Sequence, residues 1–183
     1  MPDFEIHTVD SAPEGSRRLL QGLNDQIGFI PNLAATMAEA PALLEAFVTL
    51  QAIGHRTSLD PIERQVVAVA VATETGFTYG VAAHSTFALK SGAPSSVVDA
   101  VRARMPIGDS RLDALARFAR AVVHRKDDAR QRAEELLRAG LSQVQILETL
   151  VAIAVPLMAG SVFQLAAVKL DGGFQPQAWA HTA

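Results

Sequence analysis

The feature that most constrains the fold is an uncharged run of 20 residues, Thr149 to Val168, preceded by Ser142-Gln-Val-Gln145. The Ser-x-x-Gln pattern is a capping box, in which hydroxyl and amide groups satisfy the orphan N–H groups at a helix start. A capped helix that is apolar all round belongs either in a bilayer or in the middle of a bundle. Pro156, Gly160, Ser161 and Gln164 interrupt the run, and its ends lack basic clusters and an aromatic belt. The expectation is a central bundle helix, kinked at Pro156, in a protein that does not enter membranes. Composition agrees: the chain has 32 Ala against one Trp and one Tyr. Ala favours helices and gives a strand little to pack, so the fold class is all-α.

Helix signals recur along the chain. Ser11-Ala-Pro-Glu14 reads as a capping box ahead of Leu19, Leu23 and Ile27 on one face. Gly28-Phe-Ile-Pro31-Asn32 ends that helix, a short helix follows, and another starts at Pro41. Asp60-Pro61-Ile62-Glu63 caps an apolar helix whose body is Val66 to Ala72, and Thr75-Gly76 breaks it. The next helix runs from about Phe77 to Ser91. Further starts fall at Ser95 or Ser96, with a helix reaching Met105, at Asp109 or Ser110, and at Ala129, with a helix ending at Gly140. A faint echo at an offset of 82 relates Leu59-Asp60 to Leu141-Ser142 and Val69-Ala70-Val71 to Val151-Ala152-Ile153. With no low-complexity linker, residues 1–183 are expected to form a single domain. About 1–12 and 173–183 are tails or arms, holding His7, His181 and Trp179.

Several function classes fall away. The chain has no Cys, which removes disulfides, thiolate metal sites and thiol nucleophiles. Net charge is −3, and aromatic–basic interleaving is absent, so nucleic acid is not an expected partner. Ten of the 16 basic residues fall between Arg102 and Arg138 with six acids, as on a solvated helical face or an intersubunit salt-bridge surface. Asp3, Glu5 and Asp10 near the start are the reverse of a signal peptide, and the expected location is cytoplasmic. No His pairs with a second ligand at metal-binding spacing, and neither metal nor cofactor is expected.

Chemistry concentrates in Gly76-Phe-Thr-Tyr-Gly-Val-Ala-Ala-His84. At 100° per residue, positions 77, 80 and 84 fall within an arc of about 60°. Gly80 inside a helix costs about 1 kcal/mol relative to Ala, which calls for close packing or room for a ligand. Read by itself, His84 is either a core histidine bonded to a neighbour or a site residue. Arg64 is either a solvated cation or an anion anchor, and Glu74 either pairs with an Arg or serves the site. Glu63 is explained by capping, and His55 and His124 by helix C-termini.

Leu59-Asp-Pro-Ile-Glu-Arg-Gln65, the apolar helix and Gly76 to His84 together resemble the core, about 59–92, of the carboxymuconolactone decarboxylase/alkylhydroperoxidase-D family. The nearest branch is the peroxidase-related proteins. Gly28-Phe-Ile-Pro-Asn32 and Gly140-Leu-Ser142 extend the similarity over roughly 20–170. The resemblance implies an alkylhydroperoxidase-D-like helical bundle and a homo-oligomer, whether dimer, trimer or hexamer. It also implies a site at His84, Tyr79 and Gln65. Peroxidase members carry a Cys-x-x-Cys pair and a Glu; this chain has Phe77 and Gly80 at the cysteine positions and Gln65 at the Glu position. Three readings follow. The first is a binding or structural oligomer, whose ligand is small and apolar or carboxylate-bearing. The second is a cofactor-free decarboxylase-like enzyme using His84 for proton transfer. The third is a peroxide-handling protein with a non-thiol route.

Overall fold

A computed structural model describes residues 4–125 and 128–180. Among them there are nine α-helices and no strands. The order is α1 Glu14–Ile27, α2 Asn32–Met37, α3 Pro41–Gly54, α4 Pro61–Glu74, α5 Thr78–Lys90, α6 Ser95–Arg102, α7 Ser110–Val123, α8 Ala129–Arg138 and α9 Gln143–Leu165. A 3₁₀ segment, Gly172–Gln177, follows.

Helix α4 is the axis of the bundle. Every residue from Val66 to Thr73 is buried, because α5, α7 and α9 pack around it. Its start is the expected box: Glu63 N donates to Asp60 Oδ1 at 2.8 Å and Asp60 N to Glu63 Oε2 at 2.9 Å. The other Glu63 oxygen accepts from Arg111 Nε, so this buried carboxylate also ties α4 to α7. The box of Ser142 and Gln145 forms at the head of α9. Helix α9 is long and apolar enough to cross a membrane by length and composition, yet one side packs against α3 and α4. Its outer side leaves Leu147, Leu150, Leu157 and Leu165 exposed.

Several sequence expectations need correction. Ser11 does not cap α1. It exchanges hydrogen bonds with Thr8, and the helix begins one residue after Pro13 with no side-chain cap. Neither Ser95 nor Ser96 caps α6, which starts after Pro94 and stops at Arg102, three residues short of Met105. Residues 5–12 are not a free tail. His7 is buried, with Nε2 2.7 Å from Glu39 Oε2 and its backbone N–H bonded to Ala35. Nor does a polar tail begin at Gly173. Phe174 is 2% exposed and sits edge-on against Phe29, Tyr79 and Phe87, since a large ring next to an apolar cleft is driven into it. His181 lies outside the described residues.

The basic stretch proves to be internal bracing. Glu74 receives Arg104, Arg120 and His124, while Arg117 and Arg132 reach Glu135. A carboxylate at a helix C-terminus meets an unfavourable dipole, and the Arg104 and Arg120 guanidinium groups offset it. Glu74 is thereby assigned to structure.

Candidate functional site

A cleft of about 430 Å³ opens between α1, α3, α4, α5 and α9. Leu23, Ile27, Ala68, Phe87, Ala152 and Val155 give it apolar walls. Polar groups interrupt them: Gln26 from α1, Gln51 from α3 and His55 just past it, Arg64 and Gln65 from α4, and His84 and Lys90 from α5. Gln65 is five residues from the Asp60 cap, and His84 is seven from Phe77, the N-cap position of α5. The capped start of α4 fixes the register of Gln65, and His84 lies near the middle of α5.

His84 Nδ1 lies 2.9 Å from Gln65 Oε1. An amide oxygen only accepts, so the imidazole proton sits on Nδ1 and Nε2 keeps its lone pair. Burial strips water from the ring and pulls its pKa from 6.5 down to about 4. At neutral pH this histidine is an uncharged acceptor on the wall of the cleft. Arg64 donates one N–H to the Leu59 carbonyl while lining the same cleft, and its guanidinium has four further donors.

Deeper in, a second space of about 60 Å³ shares Leu23, Ile27, Gln51, His84 and Phe87 with the cleft. Phe77 closes it. The ring is 2% exposed, stacks on Tyr79 at 6.2 Å and tilts against Phe163 at 5.3 Å. A Cβ on Gly80 would fall 2.2 Å from Phe77 Cδ1, and one on Gly160 would fall 3.4 Å from its Cγ. Gly80, costing about 1 kcal/mol relative to Ala inside its helix, thus makes room for the ring, while Gly160 faces it at ordinary contact distance. That is the reason for Gly80 which the sequence left open.

Tyr79 is placed differently from His84. Its ring lines the inner space, but its hydroxyl donates to Asp171, which is 8% exposed and also accepts from Asn32 N through both oxygens at 3.2 Å. Burial, then the Asp171 bond and charge, push the phenol well above its usual value of 10. Tyr79 therefore stays protonated and anchors the C-terminal segment. Sequence reasoning singled out Arg64, Gln65 and His84, which line the cleft, and Phe77, Tyr79 and Gly80, which line the inner space with His84. It missed Phe87, Gly160, Asp171 and Phe174. The apolar Phe174 right after Gly172-Gly173 was the available signal for the last. Among the described residues, no group of three or more His, Asp or Glu could hold a metal ion.

Residues 38–121 match the Carboxymuconolactone decarboxylase family, as the sequence resemblance implied. Comparison with curated proteins finds no match. Among solved structures, the chain is similar to an uncharacterized peroxidase-related protein with the alkylhydroperoxidase AhpD core from Ralstonia eutropha JMP134. Identity is 21% and the TM-score 0.81, with 95% of each chain covered. A peroxidase-related protein from Silicibacter sp. TM1040 aligns with TM-score 0.81 at 17% identity, over 96% of this chain and 94% of that one. A cysteine-to-alanine variant of the debrominase Bmp8, in complex with 2,3,4-tribromopyrrole, gives TM-score 0.82 at 17% identity, over 97% and 95%. The chain has the all-helical AhpD-core fold.

Proposed function

We propose that this chain is a thiol-free protein of the carboxymuconolactone decarboxylase family type that binds a small apolar or carboxylate-bearing molecule in the cleft beside His84. The observation that carries this reading is the neutral His84–Gln65 pair on the wall of a largely apolar, ligand-sized space, with Arg64 alongside. An aromatic or alicyclic body fits the walls, and Arg64 offers a fork for a carboxylate. The fold relative Bmp8 holds a small aromatic ring, tribromopyrrole. Thiol peroxidation is closed to this sequence, which contains no Cys. Proton-transfer turnover at neutral pH is disfavoured as well, because a group with pKa near 4 is a weak general base.

The protein acts as a soluble, cytoplasmic homo-oligomer. Leu147, Leu150, Leu157 and Leu165 recur along one side of α9, and a second copy of this chain covers them.

Calorimetry with benzoate and toluene, at pH 7, tests the ligand reading. Benzoate is expected to bind at millimolar or tighter affinity, with a loss of about 10-fold in Arg64→Ala, the scale of one hydrogen bond to a charged group. Peroxide consumption with dithiol stays at the protein-free rate. Absence of binding by both probes, or dithiol-dependent turnover in metal-free protein, overturns it. Light scattering of Leu147→Glu/Leu150→Glu tests assembly, with a fall in mass expected; a monomeric wild type, or one recovered only with membranes, rejects it.

A further inference from the structure

The cleft and the inner space adjoin, and the Phe77 ring lines the inner one. They share five lining residues, including His84 and Phe87. What separates the inner part from a full ligand compartment is Phe77. Its ring is held on every side by its own chain: Gly80 beneath it in α5, Gly160 on α9, Tyr79 stacked at 6.2 Å and Phe163 at 5.3 Å. Phe77 itself is the N-cap residue of α5, and its side chain makes no cap hydrogen bond. Helix start therefore does not require an aromatic residue there, because its backbone N–H is already bonded to Ala72 and its carbonyl to Val81. The space it fills is lined by apolar and aromatic groups, so what could replace the ring is a neutral aromatic of similar size.

We propose that Phe77 is a specificity-determining plug: its ring takes the inner half of the chamber and restricts ligands to the outer half beside Gln65 and His84. This deepens the small-molecule reading above and rests on it for the wild-type ligand, but the plug is testable without that ligand. The phenyl group mimics the inner part of a larger two-ring molecule, which wild type excludes and a truncated side chain admits.

The packing arm comes first. Gly80→Ala forces a methyl group into the ring and is expected to lower Tm by about 5–10 °C, the shift that a few kcal/mol produces in a chain of this size. In Phe77→Ala/Gly80→Ala the clash is gone, so adding Gly80→Ala to Phe77→Ala lowers Tm by less than 2 °C. Equal losses in both backgrounds overturn the plug. The binding arm uses benzene as probe. Phe77→Ala shows a larger benzene-induced rise in Tm and a larger shift of the His84 imidazole signals in NMR than wild type does. If Phe77→Ala does not fold, Phe77→Val opens a smaller part of the same space and takes its place. A folded truncation that ignores benzene, or wild type that binds it equally well, overturns the inference. Benzoate separates the two readings: if wild type ignores benzoate while Phe77→Ala takes benzene, the chamber stands and the carboxylate ligand falls. Where benzoate does bind wild type, 4-phenylbenzoate is expected to bind at least 10-fold more weakly, and Phe77→Ala to erase that difference.

Discussion

His84 and Gln65 stand 19 residues apart on successive helices, and a 2.9 Å hydrogen bond joins Nδ1 of the one to Oε1 of the other. That contact fixes the tautomer, leaves Nε2 as the open nitrogen and supplies no negative charge to stabilise an imidazolium. The site is a binding wall with an acceptor on it, in place of an acid–base pair.

The first prediction follows from that missing charge. Gln65→Glu puts a carboxylate at the position of the amide, and an opposite charge within hydrogen-bond distance favours the protonated ring by about 1–3 pKa units. The His84 pKa is expected to rise from about 4 to about 5–7, as read by NMR titration of the imidazole. An unchanged pKa would mean that the two side chains do not meet.

The second prediction concerns stability against pH. In the folded chain His84 remains neutral down to about pH 4, while in the unfolded chain it titrates at its ordinary 6.5. Between those values the unfolded state takes up a proton that the folded state refuses. Stability is thus fully present above pH 6.5 and falls as pH drops toward 4, by about 2 kcal/mol once solvent in the cleft is allowed for. Urea unfolding at pH 7.5 and 4.5 should show a larger loss for wild type than for His84→Gln. Equal losses would sink the assignment.

The third concerns the C-terminal segment. Asp171→Ala leaves the buried Tyr79 hydroxyl and the Asn32 N–H without their acceptor, which costs about 2–4 kcal/mol. Hydrogen exchange should quicken over 168–178, where Phe174 loses its anchor, while α4 and α9 keep their protection relative to one another. Asp171→Asn, retaining an oxygen, should lose less. Uniform change across the chain would show Asp171 to be an ordinary core contributor.

Most of the architecture was legible because helix starts are local chemistry. Asp60-Pro-Ile-Glu63 and Ser142-Gln-Val-Gln145 hold donor, acceptor and spacing within four residues, and both boxes form as read. Ser11-Ala-Pro-Glu14 has the same letters and fails, because Thr8 offers Ser11 an alternative partner that the pattern does not count. Even the face shared by Phe77, Gly80 and His84 came from helical periodicity alone.

The sequence by itself determined the all-α class, the capped starts of α4 and α9, the absence of thiol chemistry and the helix face that Phe77, Gly80 and His84 share. Only the tertiary structure decided what those residues do to each other. Gly80 admits the Phe77 ring, which also lies against Gly160 of a distant helix. Glu74 is paired with Arg104 and Arg120 and bonded to His124, 30 to 50 residues away, and Tyr79 is spent on Asp171, 92 residues on. Caps and periodicity are set within one or two turns of chain, whereas cavity shape, desolvation and ion pairing depend on which distant side chains the closed fold brings into contact.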